Sequence, residues 1–105
     1  MAQVIWTEPA LDDLNDIAEY IALDKPNAAA KLVKKVLSAT ELLEQFPKSG
    51  RKPPELEDFR YREIIVPPCR IFYRNEEDKT YILYVMRSER ELRQYLLSDR
   101  NEDKD

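Results

Sequence analysis

The chain reads as an α+β domain: a helical hairpin packed on a small, mainly antiparallel sheet, in the order β-α-α-β-β-β-α. Two observations predict this. Apolar residues recur every three or four positions in the first half of the chain, then every second position from residue 59 onward. The links between the later apolar runs are also too short for anything but antiparallel pairing. A length of 105 residues suffices for one domain and not for two.

Gln3-Val4-Ile5-Trp6 is short and rich in β-formers, and it opens the chain as a strand. Thr7 suits a helix N-cap, and Pro9 fits a first helical turn, where its missing N–H is not needed. Leu11, Leu14, Ala18 and Ile21, flanked by Ile17, keep helical spacing to about residue 23. Asp12, Asp13, Asp16 and Glu19 fall mostly off that stripe, and acids near the helix start suit its positive dipole end. Asp24-Lys25-Pro26 interrupts, and Pro26 is placed to open a second helix. Ala29, Leu32, Val33, Val36, Thr40 and Leu43, beside Leu37, carry that helix to about Gln45. Two helices joined by so few residues form an antiparallel hairpin, and both stripes read as core.

Residues 47–58 hold three of the seven prolines and the only glycine, which makes a stiff loop. Gly50 is expected there to supply a backbone angle that other residues resist. Residues 59–66, 69–74 and 80–87 then alternate as strands, separated by Pro67-Pro68 and by residues 75–79. In the last of them Ile82, Tyr84 and Met86 oppose Tyr81, Leu83 and Val85, and both sets are apolar. That pattern predicts a central strand covered on both faces. Ser88-Glu89-Arg90-Glu91 is a capping box, expected to open a short helix with Leu92, Tyr95 and Leu96 on one side. Residues 98–105 form a charged tail expected to be disordered, leaving 1–97 as the single domain.

Composition removes several functional classes. The sequence has no histidine, hence no Ser-His or Cys-His pair and no common general base near neutral pH. Its lone cysteine, Cys69, cannot form an internal disulfide and reads as a small buried residue. No cofactor and no metal is expected. The first residues lack the basic and apolar regions of a signal peptide, and no run reaches the roughly eighteen apolar residues of a membrane span. A cytoplasmic protein with no membrane partner is the expectation. The net charge of −4 conceals an asymmetry: residues 1–46 carry 4 basic against 8 acidic side chains, and residues 47–97 carry 11 against 9. Nucleic-acid binders are usually basic overall, so this balance argues against RNA or DNA as the main partner. The six tyrosines fit strands and a helix edge better than they fit base stacking.

Four groups of residues, taken in order, are similar to the ParE/RelE toxin superfamily of type II toxin–antitoxin systems. The first is Ala10-Leu11-Asp12-Asp13-Leu14 with Ile17 to Ala22 and Pro26-Asn27-Ala28-Ala29. The second is Leu43, Phe46-Pro47, Gly50-Arg51 and Pro54-Glu55-Leu56. The third is Tyr61-Arg62-Glu63, Val66 and Arg70-Ile71-Phe72-Tyr73-Arg74, and the last is Ile82-Leu83-Tyr84-Val85 with Arg87. The likeness spans residues 3 to about 96 and leans to the ParE-like branch.

The resemblance implies a toxin held inactive by a cognate antitoxin, with operator DNA met only indirectly, through the antitoxin. ParE-like members poison DNA gyrase by stabilising its cleaved DNA complex, and they are not enzymes. RelE-like members cut mRNA in the ribosome, and that is the alternative. It would use Arg62, Arg70, Arg87 or Arg90, and Tyr95. Arg70 matches the strand arginine that RelE-like enzymes set against the phosphate. Their strand lysine pair is absent, since this region reads Tyr61-Arg62-Glu63-Ile64-Ile65. A third possibility is a non-toxic member kept as an antitoxin-binding module. Candidate target- or antitoxin-binding residues are Arg51, Lys52, Arg70, Phe72, Arg74, Arg87 and Arg90. Lys48 joins Arg51 and Lys52 in a basic loop cluster. Alternation puts Arg70, Phe72 and Arg74 on one face and Cys69, Ile71 and Tyr73 on the other, with Arg70 able to pair with Glu63 or a neighbouring carboxylate. If the helices cover the Ile71 face, Arg70 and Phe72 look outward. The strand edge is expected to be open and prone to association when the toxin is alone.

Overall fold

A computed structural model describes residues 2–56, 60–92 and 100. Strand β1 (Gln3–Trp6) leads into helix α1 (Glu8–Ala22), then α2 (Pro26–Glu41), which tightens into a 3₁₀ turn at Leu42–Glu44. Strands β2 (Tyr61–Val66), β3 (Cys69–Glu76) and β4 (Lys79–Arg87) follow. The sheet order is β1-β4-β3-β2, with β1 parallel to β4 and the other two pairings antiparallel. The architecture is therefore the expected α+β hairpin on a mainly antiparallel sheet, and β4 is interior.

The helical hairpin covers one face. Ala10 and Leu14 of α1, with Leu32 and Val36 of α2 and Leu43 beyond it, pack on Val66, Cys69, Ile71, Tyr73, Ile82 and Val85. Such a wedge of aliphatic side chains between helices and sheet supplies the dominant favourable term in folding. The α1 stripe is rotated from the expected one: Ala10 is buried, while Leu11 is 45% exposed. Ala10, Leu14, Ile17 and Ile21, spaced four, three and four apart, make the stripe that meets the core. On α2 the expected Ala29, Leu32, Val36 and Thr40 are all buried. Thr7 sits at the N-cap position, yet its hydroxyl donates to the Ile82 carbonyl (2.7 Å) and makes no cap bond, so it ties α1 to β4.

The second sheet face carries Tyr61, Phe72, Tyr81, Leu83, Tyr84 and Met86. Strict alternation would not put Leu83 and Tyr84 on the same side. The β3–β4 register slips between Phe72 and Tyr73, so Leu83 is the extra residue of a bulge, and the bulge reverses the parity of β4 beyond it. The β3–β4 connection is also tighter than the expected five residues. The strands run on to Glu76 and from Lys79, and Glu77 takes a left-handed conformation at φ 57°. At the far end, Ser88 extends the β3–β4 contact by donating to the Pro68 carbonyl (2.8 Å). Its backbone is thus committed to the sheet, and residues 88–92 form a turn and irregular chain where a capping box was expected to start a helix. Tyr95 and Leu96 lie outside the described residues, as does most of the 98–105 tail. Among the described residues, no helix is long and apolar enough to cross a membrane.

Candidate functional site

Residues 47–56 carry little regular structure but are fastened to the sheet by a dense set of bonds. The Tyr73 hydroxyl, deep in the core, donates to the Pro47 carbonyl and accepts from the Gly50 N–H, both at 2.9 Å. Asn75 donates to the same Pro47 carbonyl, and Arg62 donates to the Lys48 and Gly50 carbonyls (3.1 and 2.8 Å). Arg51 and Glu63 exchange two backbone hydrogen bonds, so the loop pairs with the outer edge of β2 at that point. The β2 edge of the sheet is therefore covered at Glu63. Gly50 does not have the positive φ expected of it. It is glycine for want of room: a Cβ there would stand 2.6 Å from both the Glu63 carbonyl oxygen and the Tyr73 hydroxyl.

Beneath this loop lies an ion network. Glu63 is wholly buried and takes Arg51 Nη2 at 2.7 Å and Arg70 Nη2 at 2.5 Å. Arg70 also forms a two-pronged pair with Glu55, at 2.6 and 2.8 Å, and lies over the Phe72 ring at 5.0 Å. Phe72 stacks in turn on Tyr84 at 5.8 Å between centroids. Two-pronged arginine–carboxylate contacts are among the strongest polar pairings in proteins. Hydrogen bonds from Arg70 hold the Glu55 carboxyl below its ordinary range, and the Glu55 and Glu63 carboxylates bind the Arg70 proton more tightly still, against the effect of burial. Arg70 and Phe72 do face away from the helices, as alternation implied. They are nonetheless buried, because Glu55 and the aromatic layer cover them.

The other expected residues do not gather around Arg70. Arg62 pairs across to Tyr73 and Arg87 to Cys69, both of which face the helices. Arg62 and Arg87 therefore lie on the opposite side of the sheet from Arg70. Tyr73 and Cys69 are four residues apart, or about 13 Å along a strand, so Arg62 and Arg87 do not meet each other either. Arg87 pairs with Glu89 (2.5 Å) and lies over the Tyr20 ring of α1 at 5.6 Å. Arg90 is exposed beside it. Arg74 pairs with Glu76, and its Nε is buried without a hydrogen-bond partner among the described residues. Arg51 and Lys52 are exposed on the loop. Tyr95 lies outside the described residues. Among those described, no group of three or more metal-ligating side chains is found.

Nor do the described residues of the site offer a ready base. Burial raises the Tyr73 phenol, the Gly50 N–H bond opposes that rise, and its lone hydrogen is already given to Pro47. Burial likewise pushes the Cys69 thiol up, with Arg87 acting the other way. Two participants escaped sequence reading altogether. Asp13, on α1, accepts the Val85 N–H at 3.0 Å and pairs with Arg100, 87 residues further on. Beside it a cleft of 410 Å³ is lined by Asp13, Asp16, Tyr20, Tyr84, Arg87 and Arg90, among others. The only sequence hint was that Asp13 and Asp16 fall off the apolar stripe of α1.

A helical hairpin on a four-stranded mixed sheet, with its strand arginine held between two carboxylates, is the α+β architecture that the resemblance implied. The chain belongs to the ParE toxin family of type II toxin–antitoxin systems, parDE, whose family model matches residues 4–92. Toxin RelE2 of Caulobacter vibrioides is 34% identical over 91 residues, which cover 86% of this chain and 99% of that protein. The solved structure of a chromosomal ParDE system from P. aeruginosa superposes with a TM-score of 0.72 at 25% identity, over 85% of this chain and 98% of that one.

Proposed function

We propose that this type II toxin inhibits DNA gyrase by stabilising the enzyme's cleaved DNA complex, and that a cognate antitoxin neutralises it in the cytoplasm. The observation that carries the reading is the state of Arg70. A nuclease of this fold would need that guanidinium free to meet a phosphate, and here Glu55 and Glu63 occupy it on both sides. The separation of Arg62 and Arg87 from Arg70 and the missing lysine pair support a binding protein over an enzyme. On this reading Arg51, Lys52 and Arg90 offer exposed positive charge to the target or antitoxin. Arg70, Phe72 and Arg74 set the shape of the surface behind them, and Arg87 contributes through the cleft beside α1.

The name of the Caulobacter relative favours a second reading, a ribosome-dependent mRNA endonuclease. One pair of assays separates the two. Purified toxin is incubated with gyrase and supercoiled plasmid, and in parallel with a cell-free translation reaction. Linear DNA bound to gyrase with translation untouched is the expected result. Intact plasmid with ribosome-dependent mRNA cuts would reject gyrase as the target. Inactivity in both, from folded protein, would point to an antitoxin-binding module that is no longer toxic.

A further inference from the structure

Strand β4 loses its neighbour halfway along. β1 pairs with it only as far as Trp6 and Ile82, so among the described residues the edge of β4 beyond Ile82 has no strand beside it on the α1 side. Side chains fill the gap. Asp13 accepts the Val85 N–H at 3.0 Å, as the carbonyl of a neighbouring strand would. Arg100 donates to the Leu83 carbonyl at 3.3 Å, as that strand's N–H would. The guanidinium meets both Asp13 oxygens and lies over the Tyr84 ring, 4.7 Å from its centroid.

The receptor half of this arrangement is built without Arg100. Asp13 belongs to α1 and is held by Val85. Leu83 and Tyr84 belong to the β4 bulge, and Tyr84 is stacked on Phe72. The ligand half comes from residue 100, beyond the body of the domain. Both sides of the pair are largely enclosed, with side-chain exposures of 18% for Arg100 and 17% for Asp13. A carboxylate so placed is costly to leave without a cation. Burial already raises the Asp13 carboxyl, the Arg100 and Val85 hydrogen bonds and the Arg100 charge oppose the rise, and Asp16 adds to it. The 410 Å³ cleft shares Asp13, Tyr84 and Val85 with this site, so a side chain can reach it from solvent. Asp16, Tyr20, Arg87, Glu89 and Arg90 are the other ionisable groups on that approach.

We propose that Asp13, the Leu83 carbonyl and the Tyr84 ring form a guanidinium-binding site, filled in cis by Arg100 and able to accept an arginine side chain from a second polypeptide through the adjoining cleft. A flat guanidinium fits because it bridges two carboxylate oxygens, reaches a carbonyl and stacks on a ring at once, which an ammonium cannot do. The inference does not depend on whether the toxin acts on gyrase.

The test uses the full-length chain and N-acetyl-arginine amide as probe, titrated calorimetrically at constant ionic strength. Self-occupancy lowers apparent affinity by the fraction of open sites, so Arg100→Ala should bind roughly tenfold more tightly than the parent chain. Adding Asp13→Asn should abolish that binding, and N-acetyl-lysine amide should bind about tenfold more weakly than the arginine probe. Equal binding by parent and Arg100→Ala, indifference to Asp13→Asn, or parity between the two amides would each overturn the proposal. If Arg100→Ala does not fold, Arg100→Lys takes its place. The arginine amide should then raise the thermal midpoint of that variant more than that of the parent at the same concentration, and no rise in the variant would refute the site.

Discussion

Replacing Arg70 by alanine should destabilise the domain, and the size of the effect decides whether this arginine is scaffold or contact residue. Glu63 is 0% exposed in its side chain, and Arg70 supplies two of its charged hydrogen bonds. Removing one partner of a buried ion pair typically costs about 3–5 kcal/mol, because the other charge is left unpaired. Here Arg51 stays on Glu63, but its side chain is 55% exposed and screened by water. A loss of about 2–4 kcal/mol is therefore expected for Arg70→Ala. A domain of this size is stable by about 5–15 kcal/mol, so the variant should still fold, with an early urea transition. With an m-value of about 2 kcal/mol per molar, the midpoint should fall by about 1–2 M. Arg70→Met combined with Glu63→Gln should recover much of the loss, since removing both charges is far less costly than stranding one. The double-mutant cycle should return a coupling of about 1–3 kcal/mol. If Arg70→Ala unfolds within about 0.5 kcal/mol of the parent and yet abolishes toxicity, the scaffold argument fails and Arg70 touches the target.

Gly50→Ala should cost about 1–3 kcal/mol in the same urea assay, since its Cβ would press on the Glu63 carbonyl at 2.6 Å and on Tyr73 Cε1 at 2.8 Å; an unchanged midpoint would show that the loop can lift away freely. Cys69 is wholly buried, with its thiol raised by burial, so a thiol-specific reagent should leave it unmodified in native protein and label it fully in denaturant. Acid should loosen the loop through Glu55. Its folded pKa is lowered, chiefly by hydrogen bonds from Arg70, so its stabilising effect is present above its ordinary value of 4.5 and disappears as pH falls through the lower folded value. Glu55→Gln should therefore flatten the acid limb of urea midpoints measured from about pH 6 to pH 3, and a parallel curve would exclude this linkage.

The fold was largely legible because its signals are local. Leu32, Val36 and Thr40 mark the buried side of α2 by spacing alone, and Pro67-Pro68 separates β2 from β3 where the chain turns. What escaped depended on partners far apart in sequence. The bulge at Leu83 flips the parity of β4, and nothing in an unbroken apolar run announces such a flip. Ala10, not Leu11, continues the core-facing stripe of Leu14, Ile17 and Ile21, a phase that Leu11's larger apolar side chain disguised. The arginines of the site were found by residue type, and the pairing of Arg70 with Glu63 could be anticipated from adjacent strands. No spacing or motif marks Glu55 as a second clamp on the same guanidinium, or Asp13 as the holder of Arg100 across 87 positions.

On the proposed reading, the strand arginine is withheld from RNA because carboxylates already hold it. Arg51, Glu55, Glu63 and Arg70 together carry no net charge, and the two carboxylates are as well shaped for a guanidinium as any phosphate. An incoming phosphodiester would have to displace Glu55 and then sit beside Glu63, whose charge repels it. Removing Glu55 would free one side of Arg70 but bring in no new proton acceptor among the described residues. The Tyr73 hydroxyl is raised by burial and already bonded to Pro47 and Gly50, and the chain has no histidine. A Glu55→Gln variant should therefore gain no mRNA cleavage in the translation assay, and any ribosome-dependent cutting by it would overturn the account of Arg70 as a neutralised strut.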